Sequence, residues 1–144
     1  MRGGAVRTVV GAVLLLLAPG GLTQAQEQGA AFGVRETALG SVLTDADGFS
    51  LYSWAGDSPG ISNCHNDCPV VWPPALVGAD AEMAPLGTTA RPDGRLQLTW
   101  NSMPLYRYAG DTRRGETNGE GTVGYGALWS VVVLDAEAIG MLGL

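Results

Sequence analysis

Leu51-Tyr52-Ser53-Trp54-Ala55-Gly56-Asp57 is written a second time in this chain, as Leu105-Tyr106-Arg107-Tyr108-Ala109-Gly110-Asp111. The shared pattern is L-Y-x-aromatic-A-G-D. Alternation within it predicts a strand whose Tyr52 and Trp54 share one face while Leu51 and Ser53 share the other. Asp57 then falls where the strand ends, a position suited to capping the turn through its own backbone. Trp72 follows the first tyrosine by 20 residues and Trp129 follows the second by 23, each beginning or sitting within an apolar strand. Two units of this size are each too small to bury an apolar face alone, so they should share one core.

Working outward, Ser41 to Thr44, the turn Asp45-Ala46-Asp47-Gly48 and Phe49 to Trp54 read as strand, turn and strand. Residues 26–33 read as a flexible leader, with structure beginning near Val34 or Leu39. A loop from Asp57 to Asn63 leads to a single helical turn over Cys64 to Cys68, with Ser62 or Asn63 as its cap. Pro69 and Pro73-Pro74 limit that helix and predict an extended path through Val70-Val71-Trp72. Gly78 to Pro85 is the seam between the units. Gly87 to Arg91, the turn Pro92-Asp93-Gly94 and Arg95 to Trp100 form a second hairpin, with Leu96, Leu98 and Trp100 in alternation. Ala109 to Gly126 reads as a long glycine-rich loop, Leu128 to Leu134 as the closing strand, and residues 136–144 as a tail that docks as a short helix or frays. The expectation is all-β: a single small domain of two pseudo-repeated antiparallel units, about 34–77 and 86–135 within 34–135, with a short helical turn at the cysteine pair.

Residues 1–25 read as an export signal, with Arg2 and Arg7 ahead of the apolar run Val9 to Ala18 and a small residue, Ala25, before the cleavage point. That run is shorter than the roughly 20 residues a membrane span needs. No cysteine lies near it to be acylated, so the expected product is secreted or periplasmic, without a lipobox cysteine and without stable membrane insertion after cleavage. Cleavage would remove both arginines and no acid, taking the formal charge from −6 to −8 in a chain with no lysine. Such a surface disfavours nucleic acid and anionic lipid, which require basic residues to displace counterions.

The residues also match a known pattern. Leu39-Gly40-x-Val42-Leu43-x-Asp45-x-x-Gly48, Leu51-Tyr52-x-Trp54-x-x-Asp57, Cys64-x-x-x-Cys68 and Trp72-Pro73-Pro74 run in order through the first half. Leu86-Gly87-Thr88, Arg91-x-Asp93-Gly94, Pro104-Leu105-Tyr106-x-Tyr108-Ala109-Gly110-Asp111 and Thr117-Asn118-Gly119-x-Gly121 follow in the second. The chain resembles the bacterial secreted-repeat family of predicted lipoproteins with a Y-x-(F/W/Y)-x-x-D motif. That resemblance implies an envelope or secreted protein with tandem repeats, and implies no settled activity.

For chemistry, Cys64 and Cys68 are the only cysteines in an exported chain, and a structural disulfide is the first reading. His65 between them raises a metal alternative, with Asp67 or the distant Met83 or Met103 as further ligands, but the spacing is neither that of haem attachment nor easily tetrahedral. Asp111, Glu116, Asn118 and Glu120 on the long loop are oxygen donors of the kind that hold extracellular calcium, as are Asp45 and Asp47, though neither follows the twelve-residue calcium loop. Gly119-Glu120-Gly121-Thr122-Val123-Gly124 fits G-x-G-x-x-G but leads into a strand rather than a helix, so no dinucleotide is expected. Tyr52, Trp54, Tyr106 and Tyr108, with Asp57 and Asp111 beside them, would make two matched ligand faces if exposed. Burial as core is the favoured reading of these rings, since the domain has few other large residues. One histidine without a serine motif argues against a hydrolytic triad.

The leading functional expectation is a non-catalytic envelope module that binds a small molecule, glycan or envelope protein through the aromatic strand faces and the 109–126 loop, without a cofactor. Two alternatives come from other classes. One is an accessory of extracytoplasmic redox or metal handling through Cys64, His65 and Cys68. The other is a glycan-directed enzyme that uses Asp57 and Asp111 as a carboxylate pair.

Overall fold

The computed structural model describes Gly3 and residues 31–78 and 84–144. Gly3 apart, the expected signal peptide lies outside the described residues, as do the leader up to residue 30 and Met83.

The first strand, β1 (Phe32–Thr37), pairs antiparallel with β2 (Gly40–Asp45), with Val34 opposite Leu43. The first strand therefore begins at Phe32, two residues before the expected 34, and the buried Phe32 ring anchors it in the core. After the Asp45–Gly48 turn, β3 (Tyr52–Trp54) carries the first copy of the motif. The single helical turn, α1, spans Cys68–Val71 and so starts at the second cysteine instead of ending there. Pro69 sets this placement: its fixed φ and missing N–H suit the first turn of a helix, and Val70 and Val71 are drawn into the helix rather than extended.

Beyond β4 (Leu76–Val77), β5 (Leu86–Ala90) and β6 (Leu96–Trp100) form the second hairpin, and β7 (Met103–Pro104) pairs with β6. The β6–β7 turn, Asn101-Ser102, has positive φ at both residues, the hairpin geometry that matches strand twist. The expected alternation along β6 holds only in part. Leu98 is buried on one face, but Gln97 and Thr99 are buried on the other, and Trp100 is half-buried. The glycine-rich loop ends in a further hairpin, β8 (Val123–Gly124) with β9 (Ala127–Val131), so the closing strand is shorter than Leu128 to Leu134. The tail docks as α2 (Ala136–Met141), capped by the Asp135 side chain accepting from the Ala138 N–H at 2.8 Å, with Ala138 and Leu142 in the core.

The two motif copies pair directly with each other. Tyr52 and Tyr106 exchange backbone hydrogen bonds of 2.8 and 2.9 Å. Because neighbouring residues point to opposite faces, Leu51 and Leu105 enter one apolar cluster while Tyr52 and Tyr106 enter a second. The first cluster is mostly aliphatic, including Leu43, Leu86, Leu98 and Leu134; the second is built on Trp54, Trp72, Trp129 and the two tyrosines.

Backbone bonding reveals how the units interlock. In the first, Leu43 N–H donates to the Val132 carbonyl at 2.9 Å, Val132 N–H to Leu51 at 3.0 Å, and Leu51 N–H to Leu43 at 2.9 Å. In the second the same ring runs Leu98 to Ala75 at 2.8 Å, Ala75 to Leu105 at 3.0 Å, and Leu105 to Leu98 at 2.9 Å. Val132 lies three residues after Trp129, and Ala75 three after Trp72. Each unit is thus closed by the tryptophan-bearing segment of the other. The equivalence also aligns β1 with β5 and β2 with β6, so the two Asp-Gly turns, at 45–48 and 92–94, do not correspond.

Candidate functional site

The rings and carboxylates singled out in the sequence gather at this interlock. Trp54 stacks on Trp129 with centroids 5.3 Å apart, Trp129 on Trp72 at 3.8 Å and 2°, and Trp72 on Tyr108 at 4.6 Å. The resulting four-ring stack is symmetric in pattern, with the two repeat tryptophans at its centre and the motif aromatics outside. Each motif tyrosine meets its own unit's tryptophan edge-on, Tyr52 to Trp72 at 5.4 Å and Tyr106 to Trp129 at 5.2 Å. Gly56 and Gly110 make room for the outer rings, since a Cβ at either would lie 2.4 Å from the Trp54 or Tyr108 ring.

The hydrogen bonds cross between units as the strands do. The Tyr52 hydroxyl donates to Asp111 Oδ2 at 2.6 Å, and the Tyr106 hydroxyl to Asp57 Oδ2 at 2.7 Å. The other oxygen of each carboxylate closes its own loop: Asn63 N–H reaches Asp57 Oδ1 at 2.7 Å, and Asn118 N–H reaches Asp111 Oδ1 at 2.9 Å. Asn63 and Asn118 donate their side-chain amides to the Gly56 and Gly110 carbonyls. Burial first, and then the hydrogen bond to Asp111, push the Tyr52 pKa well above the usual phenol range. Tyr106 is raised in the same direction, chiefly by burial. Both hydroxyls are therefore protonated donors at any ordinary pH. Burial also raises Asp57 above the usual carboxylate value, against the opposing pull of the Asn63 N–H and the Tyr106 hydroxyl.

Tyr52, Trp54 and Tyr106 are buried and Tyr108 is half-buried, so most of the expected ligand faces are core. Asp57 and Asp111 sit at equivalent strand ends with all four oxygens engaged by protein donors. Cys64 and Cys68 form a disulfide with a Cα separation of 5.3 Å, both buried against the aromatic cluster, while His65 faces solvent. On the long loop, Glu116 Oε2 accepts from the Thr112 and Arg113 N–H groups at 2.7 and 3.1 Å. Glu120 Oε2 accepts from the Val131 N–H at 2.6 Å. Those carboxylates point at backbone N–H groups. Among the described residues no three His, Cys, Asp or Glu side chains converge in a way that could hold a metal ion.

Sequence reasoning missed the polar group behind Tyr106. Arg91 is buried, donating to Gln97 Oε1 at 2.7 Å, to Ser62 Oγ at 3.1 Å and to the Cys64 carbonyl at 3.0 Å. Ser62 Oγ in turn lies 2.6 Å from the Tyr106 hydroxyl, and Gln97 donates to the Leu105 carbonyl at 2.7 Å. Arg91 precedes Pro92 at the end of β5, and nothing local marks it as buried. Asn63 and Asn118 did carry a signal, each lying six or seven residues beyond its motif aspartate.

No helix among the described residues is long and apolar enough to cross a membrane. Comparison with curated proteins finds no match, and comparison with solved structures finds none either. A family model described as a secreted repeat of unknown function matches the chain twice, over residues 33–76 and 87–133. Those two spans begin at Gly33 and Gly87, equivalent positions at which an added Cβ would lie 3.0 Å from Thr44 Oγ1 and Thr99 Oγ1. The chain, with its two interlocked copies of one β unit, belongs to this family of secreted repeats.

Proposed function

We propose that this chain is an exported, non-catalytic envelope module that recognises a glycan or an envelope protein through the outward side chains of the 109–126 loop. One observation carries the reading: the loop is held in shape by its own acids while its tips stay free. Asp111, Glu116 and Glu120 each turn one oxygen to N–H groups within the loop or of β9, and the Gly119 N–H donates to the buried Tyr52 hydroxyl at 3.2 Å. Thr112, Arg113, Arg114, Val123 and Tyr125 project into solvent from that frame. A prefolded loop loses little conformational entropy on binding, which favours recognition. Tyr125 is 49% exposed and Val123 74%, and the Tyr125 hydroxyl lies 3.4 Å from the Asp67 carbonyl at the start of α1. The rings of Tyr52, Trp54 and Tyr106 contribute nothing to this surface, because they are buried in the core.

A glycan-directed enzyme would need carboxylates free to move protons, and Asp57 and Asp111 are each held by a tyrosine and a backbone N–H. The test is a photo-crosslinking residue introduced at position 125 in the exported protein in its own cells, with position 137 on α2 as control. A discrete adduct from 125 alone, lost on Val123→Asp without a change in melting temperature, is expected. Equal labelling from both positions, or an adduct indifferent to Val123→Asp, refutes it.

A further inference from the structure

Two arginines come together on the otherwise acidic surface. Of the six arginines beyond residue 25, Arg91 is buried, Arg95 is paired with Asp93 at 2.6 Å, and Arg107 is paired with Asp45 at 3.4 Å while lying 3.9 Å over the Phe49 ring. Arg113 is exposed on the 109–126 loop outside any ion pair, and neither Arg35 nor Arg114 enters one among the described residues. Both line one open cleft of about 370 Å³, together with Gly33, Val34, Thr44 and the Asp45–Gly48 turn.

Their placement is built rather than incidental. The Gly115 N–H donates to the Gly48 carbonyl at 3.2 Å and the Ser50 hydroxyl to the Glu116 carbonyl at 2.7 Å, docking the 113–116 turn onto the 45–48 turn. Arg114 runs its stem over Gly48, where a Cβ would stand 3.3 Å from its Cδ, and Arg35 runs over Gly115, where the corresponding distance is 2.9 Å. The Asp45 carboxylate in the lining is already neutralised. Its Oδ1 accepts from the Asp47 and Phe49 N–H groups at 2.9 and 3.0 Å, and its Oδ2 faces Arg107. Asp47 is the other carboxylate on the rim and is exposed.

We propose that this cleft binds a small organic anion, a carboxylate or phosphate monoester that carries a hydroxyl or ammonium donor beside its charge. Two guanidiniums whose stems pack over glycines offer planar donor forks suited to either anion, and Asp47 accepts from the neighbouring donor. Because Arg114 belongs to the 109–126 loop, the inference rests on that loop being the recognition surface and gives its basic end a ligand class. The site is open to water, so binding should be weak and should loosen as salt rises.

Amide NMR titrations of the folded chain with sulfate, glycerol phosphate and galacturonate test it. Glycerol phosphate, galacturonate or both should shift the Gly33, Gly48 and Gly115 amides saturably, and the tighter of the two identifies the anion. Arg35→Gln and Arg114→Gln should each weaken binding about tenfold, whereas Arg95→Gln should not. Asp47→Ala should weaken the two organic anions but not sulfate, which has no donor to offer. Non-saturable shifts, or equal losses in Arg95→Gln and Arg114→Gln, overturn the proposal. Unchanged melting temperatures keep the variants interpretable. A crosslink from position 125 that survives such a failure leaves the loop reading standing, and loss of the crosslink with anion binding intact does the reverse.

Discussion

Tyr52→Phe removes one oxygen from the interior and leaves two groups without a partner. The Tyr52 hydroxyl donates to Asp111 Oδ2 at 2.6 Å and accepts from the Gly119 N–H at 3.2 Å. Asp111 is 5% exposed, so its freed oxygen cannot simply return to water. A hydrogen bond to a charged group contributes about 1.5–3 kcal/mol, and an orphaned buried N–H costs about 1 kcal/mol or more. The expected loss is about 3 kcal/mol, read as a lower urea midpoint at constant slope. The informative experiment is a pair of double-mutant cycles with Asp→Ala. Tyr52→Phe should couple to Asp111→Ala, 59 residues away in the other unit, by about 1 kcal/mol or more. With Asp57→Ala, in its own copy of the motif, it should be additive within about 0.5 kcal/mol. Coupling of Tyr52 to Asp57 but not to Asp111 would mean that the units stand side by side with their motifs closed on themselves. That result would refute the crossed arrangement.

Three further outcomes follow from the same geometry. Gly110→Ala brings a methyl to 2.4 Å from the Tyr108 ring and should lower stability by about 1–3 kcal/mol, measured by thermal melting; Gly60→Ala, with nothing near its Cβ, controls for loss of steric room, although its positive φ of 72° adds some strain of its own. Arg91→Lys keeps the charge but cannot reach Gln97, Ser62 and the Cys64 carbonyl together, and should cost about 2 kcal/mol in urea unfolding, whereas an exposed Arg95→Lys should be near neutral. Burial raises the Asp57 pKa above its unfolded value, so the folded state holds this proton more tightly. Its contribution to stability is present below the unfolded pKa and is lost as pH rises through the folded pKa. Asp57→Asn should remove that loss, so its stability relative to wild type should rise from about pH 3 to 6; a flat or falling difference contradicts the assignment. Glu116 works in the opposite sense. The Arg113 and Thr112 N–H groups lower its pKa, and its contribution is lost as pH falls.

What the sequence determined by itself was local or periodic. The doubled L-Y-x-aromatic-A-G-D segment announced two like β units, alternation placed Leu51 and Tyr52 on opposite faces, and paired cysteines in an exported chain pointed to the Cys64–Cys68 bridge, present in the structure. Neighbouring residues fix these features through strand pleat and turn chemistry, so a single stretch of chain is enough to read them. The helical turn shifted to Cys68–Val71 because Pro69 could either end a helix or open one, and the cysteine spacing alone did not decide between them. Only the tertiary structure decided that Val132 closes the first unit and Ala75 the second, that each tyrosine serves the other unit's aspartate, and that Arg91 is buried. Two similar units offer equivalent partners within and between themselves, and their local patterns are satisfied equally well either way. The choice rests on which arrangement buries both tryptophans in one stack, a sum over contacts distant in sequence that no window of residues contains.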